Sequence, residues 1–264
     1  MIGKKKGIIA EARWIDWNYM AAANNPIFND AINICTELRI KNLMGFRQSW
    51  NTEVIAQFFA TVAFEENEST KKMHWMTEGT RYNISFTNFT RLLGLSPSDM
   101  TLPCIHNGTR PLDAKEIRFM YPRNKQASAG FVAGLYTYYG VLNRLFRMTL
   151  TPRGGNTSDV SNYAKDLLIR TKPPGDKFCV GDFLWEEIKN ISESPQRLCG
   201  YAPYIMLIIE KVTKMQFLKD AKHEPLRIKV PNKIRAPSPG RYDEIQVEEE
   251  GEQQQQPLDM TKLV

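Results

Sequence analysis

The residues best suited to phosphate chemistry lie in one glycine-rich segment, residues 151–156, which reads TPRGGN. Exposed backbone amides in such a loop can cradle a phosphate, and Arg153 would add a positive charge. The Gly-Lys-Ser/Thr that completes a Walker motif does not follow, and the loop comes after a predicted helix rather than a strand. We therefore favour a helix-to-helix turn in which glycine supplies a positive φ angle.

Several acidic residues have the chemistry of a two-metal nuclease or transposase site, which requires carboxylates that converge on metal ions. Most of them lie on predicted helices, where exposed acids are routine, and nothing places them on adjacent strands. The sequence therefore predicts no catalytic residues and favours a protein that is not an enzyme. The alternative, a metal-dependent transposase or nuclease, requires at least three of these acids within reach of a metal. The acids are Asp99, Asp159, Asp182, Glu186 and Glu187.

The histidines and cysteines have no spacing that is typical of a metal site or of an activated nucleophile. The chain contains no Cys-x-x-Cys pair, and no serine or cysteine stands at a recognised spacing from a histidine. We expect no metal site, no cofactor and reduced thiols. The residues concerned are His74, His106, His223, Cys35, Cys104, Cys179 and Cys199.

A scatter of arginines and lysines near Tyr138 and Tyr139 is the candidate nucleic-acid surface, because basic side chains beside aromatic rings can bind phosphates and stacked bases. The net charge of +6 and the isoelectric point of about 9.0 permit such contact but are only mildly basic. The simpler interpretation is that these cations only keep the protein soluble, because Asp and Glu are interleaved throughout. The predicted nucleic-acid-binding residues are Arg144, Arg147, Arg153, Arg170 and Lys172.

Apolar residues at helical spacing recur along most of the chain, and these helices must position the side chains named above. A hydrophobic content of 42% and an aromatic content of 11% suffice for a buried core. One early segment differs, since KKMHWMTE and TRYNISF alternate around Glu78 and Gly79, which predicts a two-stranded hairpin lying on neighbouring helices. We predict a mainly α fold: a single helical domain with a small early β-hairpin and a disordered C-terminal tail.

Changes in composition set the predicted domain boundaries. Residues 1–12 are predicted to form a flexible basic arm, residues 13–220 the helical domain, and residues 221–264 a disordered tail that is first basic and then acidic and glutamine-rich. The prolines and charges of the tail leave too little apolar surface to offset the entropy of ordering.

The chain has no predicted secretory or membrane-spanning segment. Its N-terminal apolar run is too short for a signal peptide, and the later run YIMLIIE covers about a third of a membrane span. The sequence therefore predicts an intracellular protein, nuclear or cytoplasmic and not secreted, without a membrane partner.

Four strings of the chain together resemble a plant family, the plant transposon protein domain, which is related to Athila-type retrotransposon reading frames. They are SWNTEVIAQFFAT, MHWMTEGTRYNISFTNFTRLLGL, YYGVLNRLFRMTLTPRGGNTSDVS and CGYAPYIMLIIEKVT. The resemblance covers approximately residues 13–230 and includes the order of the strings. The hairpin followed by Leu-Leu-Gly-Leu is also similar to the plant mobile domain, another helical module of transposon ancestry.

The resemblance implies a retrotransposon-derived protein and supplies no catalytic residues. The chain has no Cys-Cys-His-Cys zinc knuckle, no Asp-Thr/Ser-Gly protease motif and no Tyr-x-Asp-Asp polymerase motif. We therefore expect a non-enzymatic protein that acts in assembly or interaction near nucleic acid. Its expected partners are itself and nucleic acid, and no small-molecule substrate is indicated. A nucleic-acid-binding module of the plant-mobile-domain type is a further alternative.

Overall fold

The structure, a computed structural model, describes residues 9–67, 70–105, 114–152, 158–194 and 196–230. Four features of the sequence lie outside these ranges: the basic residues 1–8, His106, the loop that contains Arg153, and residues 231–264. The interpretation of the glycine-rich loop and the prediction for residues 231–264 therefore stay predictions.

Local side-chain signals begin many of the helices. The Asn25 side chain, directly before Pro26, accepts hydrogen bonds from the amides of Ile27 (3.0 Å) and Phe28 (3.4 Å). Asn51 caps the next long helix in the same way, since its side chain accepts a hydrogen bond from the Val54 amide. The α-helices of the described chain are Trp17–Ala22 (α1), Pro26–Glu37 (α2), Lys41–Met44 (α3), Thr52–Thr61 (α4), Phe86–Leu92 (α5), Ala114–Ile117 (α6), Thr137–Met148 (α7), Asn162–Ile169 (α8), Val180–Glu193 (α9) and Ala202–Thr213 (α10).

A three-stranded antiparallel sheet follows α4. Its second and third strands form the predicted hairpin, in which Trp75 pairs with Tyr82 and both turn residues, Glu78 and Gly79, have positive φ angles (48° and 74°). The first strand ends in two acidic residues, of which Glu65 pairs with Lys72 of the second strand and Glu66 with Lys71. The strands are Ala63–Glu66 (β2), Lys71–Thr77 (β3) and Thr80–Ser85 (β4); β1 and β5 are defined below.

The sheet joins the helices through an aromatic cluster around Trp185 of α9. The fully buried Trp185 ring meets Phe64, Phe86 and Phe89 edge-on, with ring centroids 5.2–5.4 Å apart. The Trp185 Nε1 atom donates a 2.8 Å hydrogen bond to the Glu66 carboxylate on β2, so the cluster has a polar anchor at its edge. The hairpin itself packs on helices, β3 on α4 and β4 on α5 and α10, as the sequence predicted.

The described N- and C-terminal segments lie side by side. Strand β1, Arg13–Ile15, pairs in parallel with strand β5, Glu224–Leu226, which belongs to a C-terminal strap that we define as residues 219–230. Within the strap, Leu226 and Ile228 are only 4% and 5% exposed. The predicted tail boundary at residue 220 is therefore too early: the packed chain continues to the end of the described residues.

The N-terminal boundary also moves outward. Ile9 forms a parallel bridge with Cys199, the Ala10 amide donates a 2.9 Å hydrogen bond to the Cys199 carbonyl, and Ala10 and Ala12 are buried. Residues 9–12 therefore pack against the domain, whereas the sequence predicted a flexible arm up to residue 12.

Helix is the dominant secondary structure, so the mainly α prediction is confirmed at the level of fold class. The two small sheets make the fold mixed rather than purely helical. Within the described ranges, no helix has both the length and the apolar character that a bilayer crossing requires.

Candidate nucleic-acid interface

Helix α7 carries two of the predicted basic residues on its outward face. Its apolar side chains, including Leu142 and Leu145, are fully buried against the core, and α7 packs on α2 and α8. Arg144 is exposed and Arg147, three residues later, is half-buried on the neighbouring position of the same face. The amphipathic pattern of α7 thus directs this pair away from the core.

The C-terminal strap adds a basic residue to this face. A groove of about 250 Å³ lies between α7 and the strap, and its walls include Arg144 on one side and Ile228 and Lys229 on the other. The sequence analysis missed Lys229 because prolines marked residues beyond 220 as a tail. The available signal was the alternation in Leu-Arg-Ile-Lys-Val, residues 226–230, which is typical of a half-buried strand.

The remaining two predicted residues lie after α8 and differ in their surroundings. The Arg170 guanidinium is 2.5 Å from the Asp176 carboxylate, so much of its charge is neutralised locally. The Lys172 ammonium lies 5.4 Å from the Phe119 ring centroid, and Phe119 in turn packs edge-on against Tyr139 at 5.5 Å. Lys172 thus lies on Phe119, whereas Tyr138 and Tyr139, the rings that the sequence proposed for a basic-aromatic surface, are buried in the core (2% and 5% exposed).

The excess positive charge is concentrated in one part of the chain. Residues 114–177 contain eleven Lys and Arg against four Asp and Glu, which leaves the rest of the chain nearly neutral. Residues 117–158 contain no Asp or Glu at all. The view that acids are interleaved throughout is therefore wrong for this stretch, and the missed signal was the length of the acid-free run. We call residues 114–177 the basic segment.

The described parts of the basic segment pack on one another. The Val132 amide donates to the Ser158 carbonyl at 2.7 Å, and the Val160 amide donates to the Gly130 carbonyl at 2.8 Å. Helices α7 and α8 are in contact, as are α6 and α8. The described parts of the basic segment therefore form one packed region of the fold, beyond their closeness in sequence.

Many cations of the basic segment are available to a ligand. Five exposed side chains make no ion pair with any of the described residues, in contrast to Arg170. An exposed aromatic ring accompanies them, since 52% of the Phe131 surface is accessible. The five cations are Arg118, Lys125, Arg144, Lys172 and Lys177.

The candidate catalytic acids serve structural contacts instead. Asp182 and Glu186 both bind the Lys71 ammonium, at 2.7 Å and 3.2 Å, which ties α9 to strand β3. Burial would lower the pKa of Lys71, but the two carboxylates outweigh it and raise the pKa, so the lysine stays charged. Asp99 binds Arg39 at 2.5 Å and accepts the Ser96 amide in a capping box.

Glu187 belongs to a different, buried contact. Its carboxylate is 1% exposed and accepts a 2.9 Å hydrogen bond from Arg197. No group of three or more His, Cys, Asp or Glu side chains in the described part of the chain is arranged to hold a metal ion. The requirement set for a metal-dependent nuclease is therefore not met by these residues.

The described histidines lie in structural contacts. His74, on strand β3, is 3.0 Å from the Glu65 carboxylate on β2. His223, in the strap, accepts a hydrogen bond from the Gln48 amide through Nδ1 at 3.4 Å and packs edge-on against Trp50.

Comparisons with family models, curated proteins and solved structures found no match to this chain. The resemblance to a plant transposon family therefore stays a prediction from the quoted strings.

Proposed function

We propose that the protein is a retrotransposon-derived, non-enzymatic interaction protein that binds nucleic acid through the basic segment. The observation that carries the proposal is the concentration of positive charge in residues 114–177, with no acid between residues 117 and 158. The basic and aromatic pattern and the resemblance of the quoted strings support the same conclusion.

Binding would depend mainly on phosphate contacts. Exposed cations such as Arg144 and Lys172 neutralise phosphates and release counterions, which is a sequence-independent source of affinity. The exposed Phe131 ring offers a surface on which an unpaired base can stack. We therefore expect single-stranded nucleic acid to bind more tightly than a duplex of the same length.

The proposal extends to assembly and location. A protein that binds nucleic acid without catalysing a reaction acts by coating or organising it, which fits self-association. We propose a nuclear or cytoplasmic location, where such a ligand is present.

The test is a fluorescence-anisotropy titration of labelled single-stranded and duplex oligonucleotides at several salt concentrations. The test variant combines Arg118→Gln, Arg144→Gln and Lys172→Gln. The matched control combines Arg81→Gln, Lys211→Gln and Lys214→Gln, three exposed cations outside the basic segment. Both variants lose the same formal charge, so a difference in affinity between them depends on where the lost charge lies.

The expected result is a loss of affinity in the test variant and a shallower dependence on salt. For single strands, the slope of log K against log salt should shrink by about 2, since each phosphate contact contributes roughly 0.7. The control variant should retain the wild-type slope. Equal losses in both variants, or binding that does not respond to salt, would contradict the proposal.

A further inference from the structure

A second groove lies between α2 and the turn after α8, and its walls include Tyr138 and residues 173–174 of the basic segment. Its volume is about 380 Å³, which is within the range of small-molecule sites. One wall is formed by α2. Its residues Asp30, Asn33, Ile34 and Glu37 share one face of the helix, because they follow one another at intervals of three, one and three positions. The opposite side is formed by Tyr138 of α7 and by residues 173–174, which are both proline.

Three polar groups of this groove have no protein partner among the described residues. The Glu37 carboxylate and the Asn33 amide are exposed and make no hydrogen bond or ion pair there. Tyr138 is only 2% exposed, yet its hydroxyl makes no hydrogen bond in the described structure. The hydroxyl is not fully buried but opens on the groove, where a ligand could supply the missing hydrogen bond.

The hydroxyl of Tyr138 is held in its protonated form. Burial raises its pKa, and negative charge on Asp30 and Glu37 raises it further. The groove therefore combines two carboxylates, a neutral hydroxyl and an amide with the apolar surfaces of Ile34 and two prolines. An anion is excluded by this charge, whereas an elongated cation with an aliphatic body is complementary to it.

We propose that this groove binds a linear aliphatic polyamine. Asp30 and Glu37 are seven residues apart on α2, so their Cα atoms are separated by about 10 Å along the helix axis. The terminal ammonium groups of a spermidine-sized chain are roughly that far apart. Each end of the ligand binds one carboxylate, Tyr138 and Asn33 accept further N–H groups, and the methylenes lie on Ile34 and the prolines.

The turn after α8 shapes the groove on one side. A Cβ at Gly175, where φ is +90°, would lie 2.9 Å from the Cδ1 atom of Ile34 and 3.8 Å from Oε2 of Glu37. The turn is thus pressed against the same face of α2 that carries the polar groups. This close packing holds the two prolines, which belong to the basic segment, next to Glu37.

The test is isothermal titration calorimetry of spermidine into the full chain, without nucleic acid and at low salt. The variants are Glu37→Gln and Tyr138→Phe, with Glu53→Gln, an exposed acid on α4, as the control of equal charge. We expect one spermidine per chain. Glu37→Gln should weaken binding at least tenfold, because it removes a charged hydrogen-bond partner, and Tyr138→Phe about fivefold. Glu53→Gln should change it less than twofold.

Tyr138→Phe keeps the buried ring, so an unchanged melting curve shows that its effect on binding is not unfolding. Probes of different chemistry test the ligand class: butylamine should bind far more weakly than spermidine, and magnesium chloride should not compete with it. Equal effects of Glu37→Gln and Glu53→Gln would overturn the proposal, because binding would then be a general surface attraction. Binding of a tetralysine peptide without binding of spermidine would also overturn it. Failure of nucleic-acid binding would leave this result unaffected.

Discussion

At the scale of single residues, most charged side chains that looked chemically capable are used for structure. Glu66, which the sequence did not single out, is used in the same way: burial alone would raise its pKa, but hydrogen bonds from Lys189 and Trp185 lower the pKa below its usual value. The carboxylate therefore stays ionised between α9 and strand β2. Tyr138 differs, since its hydroxyl opens on the groove beside α2 and has no hydrogen-bond partner in the described chain.

His223 makes the stability of the protein depend on pH. Burial lowers the pKa of His223 from 6.5 to about 4, although a backbone hydrogen bond to Arg13 opposes this in part. Its Nε2 atom is buried without a hydrogen-bond partner among the described residues. In the unfolded chain the His223 imidazole therefore binds a proton near pH 6.5, whereas in the folded chain it binds one only near pH 4.

The neutral His223 therefore contributes fully to the free energy of unfolding above pH 6.5, and this contribution is lost as the pH falls towards 4. We expect the free energy of unfolding, measured by urea titration with tryptophan fluorescence, to fall between pH 7 and pH 5. His223→Asn, which keeps an acceptor near the Gln48 amide, should flatten this fall. An equally steep fall in the variant would assign the pH dependence to other groups.

At the scale of elements, the predictions succeeded where the pattern is local. The hairpin β3–β4 follows from alternating side chains around Glu78 and Gly79, and the start of α4 from the cap at Asn51. Strand β2 was missed because it lies at a sheet edge and pairs through its backbone, so its acidic side chains show no alternation. Strand β5 was missed because its partner lies about 210 residues away, and no local pattern encodes that pairing.

The residues of the candidate site also fall into two groups, those on a local helix pattern and those that depend on tertiary packing. Arg144 and Arg147 were proposed from the sequence only as cations close to Tyr138 and Tyr139, and their place on the outward face of α7 follows from the helix. Lys229 depends on the long-range docking of the strap, and the groove around Tyr138 depends on the contact of α2 with α7. Such features need tertiary packing that a single sequence does not specify locally.

Gly181 tests the contact between α9 and α5. A Cβ at this position would lie 2.4 Å from Cγ2 of Thr90, whose side chain is itself buried. We expect Gly181→Ala to lower the free energy of unfolding by about 1–3 kcal/mol, because α9 or α5 must shift. Urea denaturation followed by circular dichroism provides the measurement.

The matched control is Gly140→Ala in α7, where no atom lies within 4 Å of the added Cβ. This substitution should stabilise the protein by about 0.5–1 kcal/mol, since alanine is the better helix former. If both substitutions changed stability by the same amount, close packing at Gly181 would not be the cause.

At the scale of the whole molecule, the two ends of the described chain close the domain. Strand β1 pairs with β5, Trp14 Nε1 donates to the His223 carbonyl at 2.9 Å, and Trp50 bridges to Ala221. The strap therefore connects the N-terminal strand, the start of α4 and the groove beside α7. We expect the strap to unfold together with the helical core, in one cooperative transition.

Ile228 tests this closure, because it is 5% exposed and its neighbour Lys229 is on the surface. Ile228→Ala should cost about 2–5 kcal/mol, as for other large-to-small changes in a core, whereas Lys229→Ala should stay within about 0.5 kcal/mol. Tryptophan fluorescence includes the strap contacts of Trp14 and Trp50 beside the signal of the other three tryptophans, whereas far-ultraviolet circular dichroism reports on the helices. If the two signals unfold at the same urea concentration in wild type and in Ile228→Ala, the strap and the core form one unit. A fluorescence change that precedes the loss of helix, with little total cost, would mean that the strap is an independent attachment.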